Sequence, residues 1–324
     1  MPSPADASAA AAQLAVLTSA FKELFSTTFI GFSIATALYG ISVLQAYLYF
    51  RRYTKDRWTL KTMVGTLCAL DTLTTIFVAH SLFLFVLGFL NRKLDLNIPW
   101  SFTAEKLLVT IITFIAQCFY AHTIWKFSKH IFTTAFVSIL AVGTFGLGIY
   151  TTVHLFENPA LTSISTREFL VISGLVQGLA ALNDITITGS MSYFLHARRT
   201  GLASSDKLID TLVLYGVSRG VLTAIAQIMF LVLNVALPHH QFWIPFHLVV
   251  GKLYVNSVFA TLNVRQGLSQ TEVQLGHLSL VESHEGDQMR TKPITFAVIG
   301  EGRSVFTTIG TFSRGSGIPD AEQG

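Results

Sequence analysis

The sequence predicts an all-α integral membrane protein: a seven transmembrane helix bundle, N-terminus outside, C-terminus cytoplasmic, with a disordered C-terminal tail. Three observations carry this. The chain of 324 residues is 51% hydrophobic and only 12% charged, about half the charged fraction of a soluble domain. Apolar runs of the roughly 20 residues that a bilayer crossing needs recur along it. Lys and Arg gather on alternate connections between those runs, as topology demands. No two-residue alternation with turn signals appears, which argues against a membrane β-barrel. The net charge of +4 does not indicate nucleic acid, because the basic residues stand singly or in pairs between apolar runs.

Residues 1–25, "MPSPADASAAAAQLAV…", lack a basic leader and read as an N-terminal extracytoplasmic segment, not a cleavable signal peptide. The first span, 26–50, then acts as a signal-anchor. Next, "RRYTKDR" is the strongest single topological determinant. The spans 59–90, 104–126, 131–153, 168–196, 208–236 and 242–264 complete a transmembrane domain over 26–264. With the N-terminus outside, the cytoplasmic side holds Arg51, Arg52, Lys55, Arg57, Lys61, Lys126, Lys129, Arg198, Arg199, Lys207 and Arg265. The outer side holds only Lys22, Arg92, Lys93, Lys106 and Arg167. Trp58 and Trp125 fall at the inner boundary, Trp243 at the outer one and Trp100 in an outer loop, as interfacial anchors should. Cys68 and Cys118 sit within apolar spans and read as small buried hydrophobes. Gly174-x-x-x-Gly178 and Gly216-x-x-x-Gly220 mark places where the fifth and sixth helices approach closely. Residues 265–324, rich in Ser, Thr, Gly and Glu, read as a disordered cytoplasmic tail open to a cytoplasmic partner.

Four ionisable residues lie deep inside spans: Asp71, Asp184, Arg219 and Lys252. Each costs about 2.5–3.5 kcal/mol at a lipid-exposed helix centre. Counted from the inner span ends at about 1.5 Å per residue, all four fall about 16–18 Å from the cytoplasmic boundary. Two acids and two bases at one level imply a charge cluster inside the bundle, with Lys252 facing Asp71 or Asp184. Asn183, Thr186, Asn256 and Gln227 are candidates to complete its hydrogen bonding. Such a cluster either fixes helix register or marks a site for a small-molecule ligand or ion. Among the histidines, His80 and His247 are the candidate metal ligands, although no metal-type spacing links them.

The stretch "LYGISVLQAYLYFRRYTKDRWTLKTMVGTLCALDTLTTIFVAH" resembles the opening of a family of uncharacterised seven-helix membrane proteins of mushroom-forming fungi, domain of unknown function 6534. "LNDITITGSMSYFLHARRTGLASSDKLIDTLVLYGVSRGVLTA" is similar to that family's signature half, and "GKLYVNSVFATLNVR" to its closing helix. Asp71, Asp184 and Lys252 fall within these family-like motifs; Arg219 stands where an uncharged polar residue is usual. The resemblance implies the fold and a fungal source, and no activity.

A receptor or sensor in the plasma membrane or an endomembrane is the leading functional expectation. It rests on the seven-span layout alone: no Asp-Arg-Tyr follows the third span and no Asn-Pro-x-x-Tyr ends the seventh. A transporter or channel that uses the intramembrane Asp and Lys residues is the alternative. A zinc-dependent intramembrane hydrolase would need histidines and carboxylates at one depth, which the sequence separates. No cofactor is expected. A retinal Schiff base at Lys252 lacks the aspartate one turn earlier, where Leu248 stands.

Overall fold

A computed structural model describes residues 4–91, 97–197, 203–237 and 240–284. Seven long helices follow in order: α1 Pro4–Arg52, α2 Trp58–Leu90, α3 Trp100–Ser128, α4 Ile131–Glu157, α5 Arg167–His196, α6 Ala203–Ala236 and α7 Ile244–His284. A short 3₁₀ turn, Leu161–Ser165, leads into α5. Among the described residues there is no β-strand, only an isolated bridge between Asn97 and Ala160. The chain divides into two units, Met1–Gln270 and Thr271–Gly324. The second is described only to His284, as helix. The expected tail thus begins inside a helical segment, and residues 285–324 lie outside the described set, as do Arg92, Lys93, Arg198 and Arg199. The first helix starts at Pro4, well before the expected boundary at 26, and takes in the segment expected to precede the membrane.

The distribution of residue types is inverted relative to a soluble bundle. Phe29, Ile30, Ile34, Ile139, Val142 and Ile185 face outward, while Asp71, Thr74, Gln117, Asn183, Asp184, Gln227 and Lys252 are buried. In water this arrangement would be unstable; in hydrocarbon it places apolar side chains against lipid and polar ones against each other. Six helices, α1 to α6, are long and apolar enough to cross a membrane. α7 is not among them, because its apolar run is interrupted by His247, Lys252, Asn256 and Asn263. The burial pattern explains why it tolerates them. Tyr254, Val255, Val258 and Phe259 are fully enclosed, so α7 contacts protein where its neighbours contact lipid. Asn256 and Asn263 donate to the Leu38 and Gln45 carbonyls of α1.

Two apolar cores stack along the bundle. One, at the basic end formed by the α1–α2 and α3–α4 connections, is built on Tyr49, Leu67, Tyr120, Ile124, Ile187, Phe259 and Leu262. The other, at the opposite end, is built on Phe21, Phe85, Phe102, Phe169, Phe230, Trp243 and Leu248. On α2 and α5 the buried acids Asp71 and Asp184 fall between them in sequence. Trp243 belongs to the second core, only 9% exposed and edge-on to Phe230 at 5.0 Å. It is a packing residue and not the lipid-facing anchor expected. Trp58, Trp100 and Trp125 are exposed. Cys118 is also exposed, and Cys68 half-buried, so the expectation of two buried thiols is corrected.

Close approach between helices falls on particular glycines. A Cβ at Gly220 would overlap Thr188 of α5, and one at Gly174 would lie 3.2 Å from Leu231 of α6; Gly178 and Gly216 have open space. At Gly31 a Cβ would meet the Pro245 Cα of α7 at 2.7 Å, backbone that cannot rotate away, whereas Gly40 on the same helix has nothing within 4 Å. Gly31→Ala should therefore lower the melting temperature in detergent, by an overpacking cost of about 1–3 kcal/mol. Gly40→Ala should leave it unchanged or raised, since alanine is the better helix former. Equal behaviour of the two variants would contradict the tight α1–α7 contact.

Candidate functional site

Three buried polar groups lie along α7. Lys252 points toward α2. Its Nζ is 2.8 Å from Asp71 Oδ1 and donates to the Asp71 carbonyl at 2.8 Å, Thr74 Oγ1 at 2.8 Å and Thr75 Oγ1 at 2.7 Å. Four oxygens thus surround an ammonium that has three N–H bonds, and the carboxylate contact is electrostatic and not an aligned hydrogen bond. The Tyr39 ring of α1 covers the same ammonium at 5.2 Å, and the Tyr39 hydroxyl meets Thr72 Oγ1 at 3.1 Å. Every solvation direction of the lysine is replaced by protein, which is the condition for a charge to persist away from water.

Two residues further along, Tyr254 faces away from Lys252, because successive helical positions are about 100° apart. Its hydroxyl donates to Asp184 Oδ2 of α5 at 2.7 Å. The Gln227 amide of α6 donates to the Tyr254 hydroxyl at 2.6 Å and reaches Asp184 Oδ2 at 3.4 Å. Asp71 and Asp184 are therefore held by opposite faces of α7, about 3 Å apart along its axis.

Toward the other end, His247 Nε2 lies 3.1 Å from Glu105 Oε2 of α3, with both side chains nearly inaccessible. Lys106, next in sequence, points its ammonium over the Phe169 ring at 5.7 Å and makes no salt bridge among the described residues. Two small cavities meet at this place. One, of about 30 Å³, has aromatic walls that include Phe102, Phe169 and Trp243 and polar edges from Asn234 and Gln241. The other, of about 40 Å³, runs between α3, α4, α5 and α6 past Thr113, Gln117, Thr144 and Gln227. Lys106 and His247 line both. Both amide atoms of Gln117 and the Oε1 atoms of Gln227 and Gln241 are buried without a hydrogen-bond partner. Such orphaned groups cost about 1–3 kcal/mol each, and volumes of this size admit water-sized occupants.

Of the residues singled out in the sequence, the fold brings Lys252 to Asp71, and Gln227 to Asp184. Asn256 bonds the Leu38 and Lys252 carbonyls. Thr186 only bonds back to Leu182 within its own helix, and both amide atoms of the buried Asn183 have no partner. The Arg219 side chain lies outside the described residues. His80 meets Ser101 at 2.9 Å, apart from the His247–Glu105 contact. No group of three His, Cys, Asp or Glu side chains suited to a metal occurs among the described residues. The sequence reading missed Glu105, Lys106 and Gln117. Glu105 and Lys106 stand at a span boundary, where charges are usual, and a single glutamine in an apolar run gives no signal of what it faces.

The model of the family of unknown function DUF6534 matches residues 180–267, which carry Asp184, Gln227, Lys252 and Tyr254. No curated protein and no solved structure matches the chain. The apolar helices and the matched domain together define a multi-pass membrane protein.

The clasp has a direct energetic consequence. Lys252→Met or Asp71→Asn alone leaves its former partner buried and uncompensated, at a cost of about 3–5 kcal/mol. Lys252→Met combined with Asp71→Leu should recover most of that loss in thermal unfolding. Lys252→Met combined with Asp184→Asn should show additive losses, since the two residues contact different partners. Recovery in the Asp184 pair instead would reassign the clasp.

Proposed function

We propose that the protein is a receptor-type membrane protein of seven transmembrane helices, with the N-terminus outside and the C-terminus in the cytoplasm. α7 serves as the seventh crossing, carried by its enclosure among the other helices instead of by its own hydropathy. The Lys and Arg balance supports the orientation, since the basic end becomes cytoplasmic. The observation that carries the receptor reading is the pair of neighbouring cavities that both have Lys106 and His247 in their walls, one of them also lined by Gln227 with its unpartnered amide oxygen.

Gln227 couples that space to the helices. Its amide nitrogen holds the Tyr254 hydroxyl and Asp184, while its oxygen is free to accept a ligand's hydrogen bond. A small ligand that carries an acidic group for Lys106 and a donor for Gln227 would shift the amide, and with it the junction of α5, α6 and α7. The present cavities hold only water-sized occupants, so a ligand enters by parting these helices; its binding energy then biases their spacing. The clasp at Lys252, fully coordinated, is the fixed point against which they move.

The test is a thermal-shift panel of short carboxylic acids and their amides on purified protein. Stabilisation by some acids is expected, absent for their amides and lost in Lys106→Met and Gln227→Leu. If no acid stabilises the wild-type protein, or if acids stabilise both variants as much as wild type, the reading fails. A transport reading takes second place. It is favoured by the buried Asp and Lys residues at mid-depth, the kind of group that ion coupling uses. Flux of a stabilising acid into proteoliposomes would move it to first.

A further inference from the structure

The basic end contains a cleft of about 930 Å³. Lys55 and Arg57 of the α1–α2 connection edge it on one side, and Lys126 and Lys129 at the end of α3 on the other. None of these four makes a salt bridge among the described residues. The acid in the lining, Asp56, accepts a hydrogen bond from Tyr49 at 2.9 Å. The first turn of α2 also borders the space through Thr59 and Leu60, with no side-chain cap from Arg57. Its positive end therefore adds to the field of the cations.

Charge at a membrane boundary is explained by topology alone. A second feature is not. A shallow apolar groove of about 380 Å³ runs up the outside of the bundle along α2 and α3, past Met63, Phe114, Ile115 and Cys118. It shares Thr59, Leu60, Phe119 and His122 with the basic cleft, so the two are continuous. Trp58, next to Thr59, and Trp125, which lines the cleft, are both exposed, and exposed tryptophans suit a membrane–water interface.

A polyanion site that opens into a lipid-facing apolar groove matches one kind of molecule. We propose that this surface binds an anionic phospholipid, with a multiply charged phosphate headgroup in the cleft and an acyl chain along the α2–α3 groove. A soluble phosphate would use the cleft and leave the groove idle; a neutral lipid would use the groove and leave the cations without an anion, Lys129 meeting only the Trp125 ring at 5.5 Å. Binding clamps the α1–α2 connection to the end of α3. The proposal is independent of the cavities at the opposite end.

The experiment uses the full chain in phosphatidylcholine nanodiscs. The probes are dioctanoyl phosphatidylinositol 4,5-bisphosphate, dioctanoyl phosphatidylcholine and inositol 1,4,5-trisphosphate. The anionic lipid should bind at least tenfold more tightly than either control, and its affinity should fall as salt is raised. The triple variant Lys55→Gln, Arg57→Gln, Lys126→Gln changes exposed side chains only and should weaken the lipid at least tenfold. Cys118→Trp, which fills the groove, should weaken the lipid similarly and leave inositol trisphosphate unchanged. Inositol trisphosphate binding as tightly as the lipid would overturn the proposal in favour of a soluble phosphate ligand. Equal binding of phosphatidylcholine, a flat salt dependence, or an unchanged affinity in the triple variant would each overturn it outright.

Discussion

One ammonium group organises the middle of this bundle. Lys252 is held by a carboxylate, a main-chain carbonyl and two threonine hydroxyls, all from one turn of α2. A lysine this far from water needs its whole hydration shell replaced, because a missing partner in low dielectric costs more than the same partner contributes at a surface. That requirement fixes the rotation of α7 against α2 and the depth at which they meet. The face of α7 that carries Tyr254 is then turned toward α5 and α6, and His247 toward α3. The threonines matter as much as the acid. Thr74 and Thr75 each also bond the Asp71 carbonyl, so the clasp is built into the α2 backbone.

The same constraint separates what is rigid from what is open. The Lys252 ammonium has oxygens on every side, although both Asp71 carboxylate oxygens accept no aligned hydrogen bond; Gln117 and Gln227 also keep amide atoms without a partner, and the space beside them is unfilled. Buried amides without partners are a cost that a purely structural layer would shed by substitution to leucine or methionine. Their position on the wall of one cavity, beside the junction that Gln227, Tyr254 and Asp184 make between α5, α6 and α7, is what makes this part of the bundle suited to respond to an occupant.

At the basic end the chemistry is that of an interface. Lys55, Arg57, Lys126 and Lys129 make no salt bridge among the described residues and line a cleft that borders an apolar groove. Topological charges need only be on the correct side. That four of them face a common space is a property of how α3 ends beside the α1–α2 connection, with Lys129 in a left-handed cap conformation at φ 56°.

The sequence by itself determined the class of environment, because composition and run length report directly on whether a segment can leave water. It marked seven apolar spans, of which α1 to α6 are apolar enough by hydropathy among the described residues, and it marked the intramembrane charges, since an ionised side chain in an apolar run stands out whatever it faces. Tertiary structure decided the rest. α7 reads as marginal by hydropathy because its polar residues contact other helices, and hydropathy cannot tell protein from lipid. Lys252 had two acids at one depth, and only the rotation of α7 assigned it to Asp71 while giving Asp184 to Tyr254 and Gln227. Glu105, Lys106 and Gln117 were illegible for a related reason: each is ordinary at its place in the chain, and acquires meaning only from side chains far away in sequence. Trp243 shows the limit in the other direction, an interfacial residue type that the packing of α6 and α7 drew into the core.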